Sequence, residues 1–172
     1  DLVRSRGLGD VYKRQVNLVA IARQSVVDFI NLGMEEKYPI EWNTDEALTA
    51  CVINGDKELL RRAIGNLITN SQTHNPDGCT ISVCVRKSDT EYKIVVEDNG
   101  VGVTDEKLEK LRTTPHYMMS DSGTTEPRHG LGLLIVGQIV SAHNGTVSFD
   151  HGKQGGFAVT ISFPIPKDSH TQ

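Results

Sequence analysis

Residues 56–78 read DKELLRRAIGNLITNSQTHNPDG and carry the clearest helical pattern of the chain. The apolar residues recur at steps of three and four, as on one face of an amphipathic helix; they are Leu59, Leu60, Ala63, Ile64, Leu67 and Ile68. We predict that Asp56 caps the helix start, because its carboxylate can accept hydrogen bonds from the first free N–H groups. The Asn-Pro-Asp-Gly run at residues 75–78 is predicted to end the helix.

The side of this helix opposite the apolar stripe is polar. Steps of four, four and three place four side chains on one face: Arg62, Asn66, Asn70 and Thr73. Asparagine is a mediocre helix former because its amide competes with the backbone for hydrogen bonds. One interpretation of the pattern is a solvated face. The other is a set of amide oxygens directed at a hard cation or at phosphate.

On either side of this helix, extended segments alternate with further helices. Alternating apolar residues predict extended segments at residues 40–44, 48–53, 81–85, 92–96, 146–151 and 157–165. The second of these runs into a predicted turn at Asn54-Gly55. Further helices are predicted at residues 16–33, 106–111 and 130–143. Paired strands interspersed with helices predict an α+β fold, a two-layer α/β sandwich with a mixed, mostly antiparallel sheet.

Two glycine motifs follow predicted elements. DNGVG at residues 98–102 comes directly after a strand, where an aspartate can accept a hydrogen bond from an amino group and glycines let a ligand approach the backbone. HGLGL at residues 129–133 opens a helix, whose free N–H groups suit phosphate. Taken singly, the first motif also fits an ordinary turn and the second a flexible loop. Neither is a dinucleotide fingerprint of the G-x-G-x-x-G type.

Composition limits the class of protein. The chain has 172 residues, enough for one domain, and a formal net charge of −4, which offers no global positive field for nucleic acid. It contains no run of about 18 to 20 apolar residues of the kind that spans a membrane. Cys51, Cys79 and Cys84 are an odd number without a Cys-x-x-Cys pair, so we expect free thiols in a cytoplasmic, reducing compartment.

The first fifteen residues, DLVRSRGLGDVYKRQ, fit no element. They carry four basic residues without a usable period and predict a disordered basic end. The alternative is a basic arm for lipid or nucleic acid. The segment is also similar to non-native sequence at the ends of reading frames predicted from fragmentary DNA, which would make the chain the C-terminal part of a longer protein.

Taken together and in order, the motifs are specific. An N-x-x-x-N helix, a D-x-G-x-G turn after a strand, a loop poor in aliphatics at residues 112–128 and a G-x-G helix start resemble the ATP-binding catalytic domain of sensor histidine kinases, in the superfamily shared with DNA gyrase, Hsp90 and MutL. The resemblance covers residues 16–166, leaving a tail at residues 167–172. It implies the Bergerat-type ATP-binding fold, in which helices cover one face of the sheet.

The resemblance implies roles for particular residues. Asn70 matches the Mg²⁺ ligand and Asn66 its neighbour at metal and phosphate, while Asp98 matches the acceptor of the adenine amino group. Residues 112–128 match the ATP lid. The remaining residues of the implied ATP site are Thr73, His74, Gly100, Gly102, Arg128, His129, Gly130, Leu131, Gly132 and Leu133.

Two departures from the family pattern concern phosphate and lid. The frequent cationic residue of the asparagine helix falls on Thr73, so phosphate binding would depend more on Arg128, His129 and the helix start. A Phe-rich segment usually precedes the lid; here only Leu108, Leu111 and Tyr117 could replace it. A degenerate module that binds nucleotide or a partner without transferring phosphate is therefore an alternative.

Asn66 favours a kinase over an ATPase. Relatives that hydrolyse ATP have a glutamate at this position to orient water, and an amide cannot serve as a general base. A site without a water activator suits transfer of the γ-phosphoryl group to an external nucleophile. An ATPase or a serine kinase of the same superfamily is the less favoured alternative.

The resemblance also implies partners. None of the six histidines lies in a setting like the family's phosphoacceptor motif, so the acceptor is expected on a separate dimerisation and phosphoacceptor domain; the six are His74, His116, His129, His143, His151 and His170. A response regulator is the expected indirect partner in two-component signalling. We expect no nucleic-acid partner and no membrane contact by this chain, and a homodimer only for the full-length protein, which in many relatives is anchored in the inner membrane.

Overall fold

The computed structural model describes residues 14–113 and 127–167, with side chains throughout these ranges except at residues 127–131. In chain order, its elements are β1 (Arg14–Asn17), α1 (Leu18–Ile30), β2 (Ile40–Trp42), β3 (Val52–Gly55), α2 (Lys57–His74), β4 (Ile81–Lys87), β5 (Glu91–Asp98), α3 (Asp105–Thr113), α4 (Pro127–Ala142), β6 (Thr146–His151) and β7 (Phe157–Pro164).

The main sheet has five strands in the order β2-β4-β5-β7-β6. Only the β2–β4 pair is parallel, and the other three pairs are antiparallel. Ile94 in β5 lies opposite Val85 on one side and Ile161 on the other, so the alternating residues of three strands form one continuous apolar face. The predicted mixed, mostly antiparallel sheet is confirmed.

Helices α1, α2 and α4 cover this apolar face. Their buried side chains meet every second residue of β4 and β5 in a single core. Leu60, Ile64 and Leu67 of α2 are among its fully buried members. Burial of one such side chain stabilises a fold by about 1.5–3 kcal/mol, so the stripe that predicts the helix also holds it on the sheet.

The ends of α2 follow the predicted chemistry. Asp56 is the N-cap, and its Oδ1 accepts hydrogen bonds from the N–H groups of Glu58 at 2.9 Å and Leu59 at 3.1 Å. Beyond His74 the chain turns at Asn75. Gly78 has a φ of 102°, and a Cβ there would lie 2.7 Å from the carbonyl oxygen of Lys37. The capped start and the stop after His74 are thus confirmed.

A small second sheet differs from the expectation. Strand β1 pairs antiparallel with β3, and Arg14 lies opposite Gly55. Arg14 and Gln15 therefore belong to a strand rather than to a disordered end; residues 1–13 lie outside the described part of the chain. Asn54 and Gly55, predicted as a turn, are the last two residues of β3. Their partners in β1, Gln15 and Arg14, lie 39 and 41 residues upstream, where no local pattern indicates a strand.

Helix α4 begins earlier than predicted, at Pro127 rather than at Gly130. Just beyond its end lies His143, which is 6% exposed. Its Nε2 accepts a hydrogen bond from the N–H of Asp56 at 3.0 Å, which leaves Nδ1 as the protonated nitrogen, 2.7 Å from the carbonyl oxygen of Ile139. This histidine joins the end of α4 to the start of α2.

Among the described residues, every helix is too short or too polar to cross a lipid bilayer. The three cysteines are free thiols, as predicted.

Candidate nucleotide-binding site

The polar face of α2 has one buried amide. Asn70 is 8% exposed, and its amide makes no hydrogen bond to any described residue. No buried side-chain nitrogen or oxygen atom in this part of the chain is sealed off without a partner, so the Asn70 amide remains accessible to a ligand. Asn66, one turn earlier, is half-buried. An accessible amide oxygen of this kind is a suitable ligand for a hard cation.

Two other predicted residues lie at the end of α2. Thr73 is exposed, and its hydroxyl donates to the carbonyl oxygen of Thr69 at 3.0 Å. It therefore does not supply the charge of the cationic residue that the family often has there. His74 is the last residue of the helix and is half-buried.

Asp98 ends β5 and is 3% exposed. Its Oδ1 accepts two backbone hydrogen bonds, from the N–H of Gly100 at 3.0 Å and from the N–H of Phe157 at 3.3 Å. No described residue donates to its other oxygen, Oδ2, which is not sealed from solvent. One oxygen thus orients the carboxylate while the second is left to accept a hydrogen bond from a ligand.

Other protein atoms lie close to both glycines of the 98–102 turn. A Cβ on Gly100 would collide with the side-chain amide of Asn75. Gly102 has a φ of 69°, which L side chains rarely adopt, and a Cβ there would lie 2.6 Å from the carbonyl oxygen of Gly155. Neither position can carry a side chain without displacing its neighbours. The turn beside Asp98 therefore presents bare backbone at both glycines.

A second glycine turn, at residues 152–156 between β6 and β7, was missed in the sequence. A Cβ on Gly156 would collide with both the backbone and the carboxylate of Asp98, and one on Gly152 would lie 2.8 Å from the Asp98 carbonyl oxygen. Three glycines in the five residues GKQGG, directly before the last strand, were the available signal. This turn forms one wall around the buried carboxylate.

The start of α4 holds the remaining predicted residues. Residues 128–131 lie in the first turns of the helix, but their side chains are outside the description. Gly132 has open space around the position of a Cβ, and Leu133 is buried in the core. The described part of the helix begins at Pro127, which places Arg128 to Gly130 in its first turn. The Leu133 side chain therefore packs in the core, and the predicted role of this helix start at phosphate stays a prediction.

Cys79 lies close to the same carboxylate. Burial, together with the negative charge of Asp98, raises the pKa of the Cys79 thiol to about 11. The thiol is therefore protonated at neutral pH and is not an activated nucleophile. Cys79 and Asn99 line an open depression of about 520 Å³ that includes none of the residues predicted to bind nucleotide.

The mixed sheet covered by helices, the amide face of α2 and the glycine turns around Asp98 define the class of two-layer sandwiches that the sequence resembles. A family model described as "Histidine kinase-, DNA gyrase B-, and HSP90-like ATPase" matches residues 55–167, and the chain belongs to this family.

Named relatives are bacterial sensor kinases. Sporulation kinase B of Bacillus subtilis (strain 168) is 31% identical over 156 residues, which are 90% of this chain and 34% of that protein. The sensor histidine kinase CusS of Escherichia coli (strain K12) is 34% identical over 117 residues, which are 64% of this chain and 23% of that protein. The chain thus spans about a third or less of the length of these relatives.

Solved structures agree on the fold. The catalytic domain of histidine kinase ThkA, in a nucleotide-free form, superposes with a TM-score of 0.72 at 20% identity and covers 90% of this chain and 99% of that one. ThkA in complex with the response regulator protein TrrA superposes with a TM-score of 0.71 at 19% identity, covering 92% of this chain and 43% of that one. The predicted fold class and the resemblance to histidine kinase catalytic domains are confirmed.

Proposed function

We propose that this domain binds Mg²⁺-ATP and donates the γ-phosphoryl group to a histidine on a separate dimerisation and phosphoacceptor domain. The observation that carries the proposal is Asp98, a buried carboxylate with one oxygen held by two backbone N–H groups and the other without a donor among the described residues. Such a group is preorganised to accept one hydrogen bond from a ligand.

The adenine ring is assigned to the space beside Asp98. Its exocyclic amino group would donate to Oδ2, the oxygen without a donor among the described residues. Gly100 and Gly102 add no side chains to the turn, so the base could pack directly against the backbone. A guanine base presents a carbonyl oxygen at the corresponding position, which a carboxylate would repel.

The phosphates and the metal ion are assigned to α2 and to the start of α4. The accessible amide of Asn70 is suited to Mg²⁺, with Asn66 one turn away on the same face. When bound, Mg²⁺ would neutralise charge on the phosphates. Thr73 is committed to its own helix, so the phosphates would depend on the free N–H groups of α4 and on Arg128 and His129.

Transfer is favoured over hydrolysis because the site offers no water activator at Asn66. In the transfer, the bond between the γ-phosphorus and the oxygen bridging to the β-phosphate breaks, and a bond from the γ-phosphorus to an imidazole nitrogen forms. We assign the acceptor to a separate domain because none of the six histidines lies in a setting like the family's phosphoacceptor motif, and His143 serves as a structural link between two helices.

We also propose a protein partner for this domain. ThkA was solved with a response regulator, and we assign a response regulator to this protein as the recipient of phosphate from the acceptor histidine. Dimerisation belongs to the full-length protein, whose ATP-binding domain would work in the cytoplasm.

Calorimetric titration of the chain with ADP and with a non-hydrolysable ATP analogue, with and without Mg²⁺, tests the nucleotide site. We expect a Kd in the micromolar range or weaker, about −8 kcal/mol or less favourable, and tighter binding with Mg²⁺. Asp98→Asn should weaken binding by about 10- to 100-fold, because the base loses a charged acceptor.

The Asp98→Asn variant must retain its unfolding transition and circular dichroism spectrum for this comparison to hold. A folded wild-type chain that binds neither nucleotide would contradict the proposal and leave a non-catalytic module as the function. Phosphorylation of an added acceptor domain from a histidine kinase relative would establish transfer; release of free phosphate without any acceptor would instead indicate an ATPase.

A further inference from the structure

We propose that Asn75 is a positioning residue that fixes the 98–102 turn against the end of α2, and that this link raises the affinity for adenine nucleotides. The inference rests on the proposed nucleotide-binding function. Asn75 was predicted from sequence only as part of the helix stop. In the structure it is 2% exposed, one of the few fully buried polar residues in the described part of the chain.

The Asn75 side chain bridges two elements. Its Nδ2 donates to the carbonyl oxygen of Ser71 at 2.8 Å, which ties the amide to the last turn of α2. Its Oδ1 accepts from the N–H of Val101 at 2.8 Å, across 26 residues of chain. With both bonds made, the orientation of the amide is determined, because only the oxygen can face the Val101 N–H.

Contacts around the turn show why this bond matters. The Val101 side chain is 76% exposed, so side-chain burial contributes little to holding the middle of the turn. Gly100 lies so close to the Asn75 amide that a Cβ would collide with it. Asn75 therefore makes both the hydrogen bond and the close contact between the end of α2 and the middle of the turn, while Asn99 bonds to Thr80 at the start of the turn.

Asn75 connects the two parts of the proposed site, the part on α2 and the part at the 98–102 turn. Asn70, assigned to the metal, lies on α2, whereas Asp98, assigned to adenine, begins the turn. Asn75 follows directly on α2 and holds Val101, three residues after Asp98. A link of this kind keeps the two ligand-binding groups at a set separation before nucleotide arrives, which reduces the ordering cost of binding.

Asn75→Ala removes the link, and Tyr38→Phe is its matched control. The buried Tyr38 hydroxyl donates to the backbone oxygen of Asn75 at 2.7 Å, so Tyr38→Phe removes a buried hydrogen bond from the same residue without touching its side chain. The Asn75 oxygen still accepts from the N–H of Gly78. Both variants should lose stability, but only Asn75→Ala should loosen the turn.

The test combines calorimetric titration with Mg²⁺-ADP and hydrogen exchange of the Val101 amide. We expect Asn75→Ala to weaken binding by about 10-fold and to speed exchange of the Val101 amide in the folded protein, while Tyr38→Phe leaves both within about twofold of wild type. A merely structural Asn75 would give Asn75→Ala the wild-type Kd at temperatures below its unfolding transition, and that result overturns the inference.

Gly100→Ala provides a second route should Asn75→Ala not fold. Its Cβ would displace the Asn75 amide, so binding should weaken by about 10-fold in this variant and Val101 exchange should rise. In the double variant Asn75→Ala/Gly100→Ala, the added Cβ no longer meets the Asn75 amide. We therefore expect affinity to fall by about 10-fold in total rather than by about 100-fold. If the losses of the two single variants multiply instead, Asn75 and Gly100 act independently, and that result overturns the proposed coupling. If the wild-type chain itself binds no ADP, the proposed function has failed, and unchanged Val101 exchange in the variants would show separately that Asn75 does not hold the turn.

Discussion

Two regions of the molecule are fastened to the sheet in different ways. Besides the apolar core, buried polar groups join helices α2 and α4 and the 98–102 turn, namely Asn75, Asp98 and His143. Helix α3 packs on β6 and adds to the core only the buried Leu108 and the partly buried Leu111, with polar contacts at the surface. Since solvent screens exposed contacts and burial strengthens internal ones, the first region should be rigid and the second easily detached.

The contacts of α3 illustrate the second kind of attachment. His151 Nε2 lies 2.6 Å from Oδ1 of Asp105, which is 97% exposed. At the other end of the helix, Arg112 donates to the carbonyl oxygen of Phe149 at 3.0 Å and to Oδ1 of Asp150 at 2.5 Å. Helix α3 directly precedes residues 114–126, which belong to the predicted ATP lid. A helix with so few buried contacts should open from the sheet more readily than α2.

Among the substitutions in the first region, Gly156→Ala should have the largest effect. The added Cβ would collide with the backbone and carboxylate of Asp98, so we expect loss of more than about 100-fold in affinity for Mg²⁺-ADP, together with reduced stability. Calorimetric titration and denaturant unfolding measure the two effects.

Gly65→Ala is the control for this substitution. A Cβ on Gly65, in the middle of α2, meets nothing within 4 Å, so this variant should gain about 0.5–1 kcal/mol of stability through helix propensity. Wild-type affinity in Gly156→Ala would show that the 152–156 turn does not shape the site.

His143→Ala should cost the first region about 2–4 kcal/mol of unfolding free energy. It leaves a cavity beside Phe163 and removes the acceptor of the partly buried N–H of Asp56, the residue that caps α2. Urea unfolding followed by circular dichroism measures the change. The exposed His151→Ala is the matched histidine control, and an equal loss in the two variants would remove the distinction between the regions.

Arg112→Ala should have a smaller effect, about 1 kcal/mol or less, because its ion pair with Asp150 is largely solvated. His151→Ala should cost less again, within about 0.5 kcal/mol. Hydrogen exchange is the sharper measurement here: amides of α3 should lose protection in both variants while those of α2 keep theirs. Loss of protection in α2 as well would mean that the two regions unfold together.

Prediction from sequence succeeded where the signal was local. The apolar stripe of α2, its Asp56 cap and the alternating strands β4, β5 and β7 all lie where their patterns indicate. The prediction was wrong for Asn54-Gly55, which forms a strand because β1 supplies its partner. The side chain of Leu133, which the resemblance assigns to the ligand site, is buried in the core, and a role of its backbone at phosphate stays a prediction.

In the site, too, residues in local motifs could be predicted and long-range contacts could not. Asn70 and Asp98 could be singled out because motif spacing identifies them, and their assignments to metal and adenine stay predictions. The 152–156 turn could not be placed beside Asp98, although its glycines were visible, because 59 residues separate Phe157 from the carboxylate that its N–H contacts.

By itself, the sequence determined most of the helices and strands, the polar face of α2 and the family to which the chain belongs, because helix and strand periods and capping act between residues a few positions apart. Only the tertiary structure decided which oxygen of Asp98 is held, that Asn75 joins α2 to the 98–102 turn, and that His143 contacts Asp56 across 87 residues. Such partners are chosen by how the helices pack on the sheet, and no local period encodes that packing.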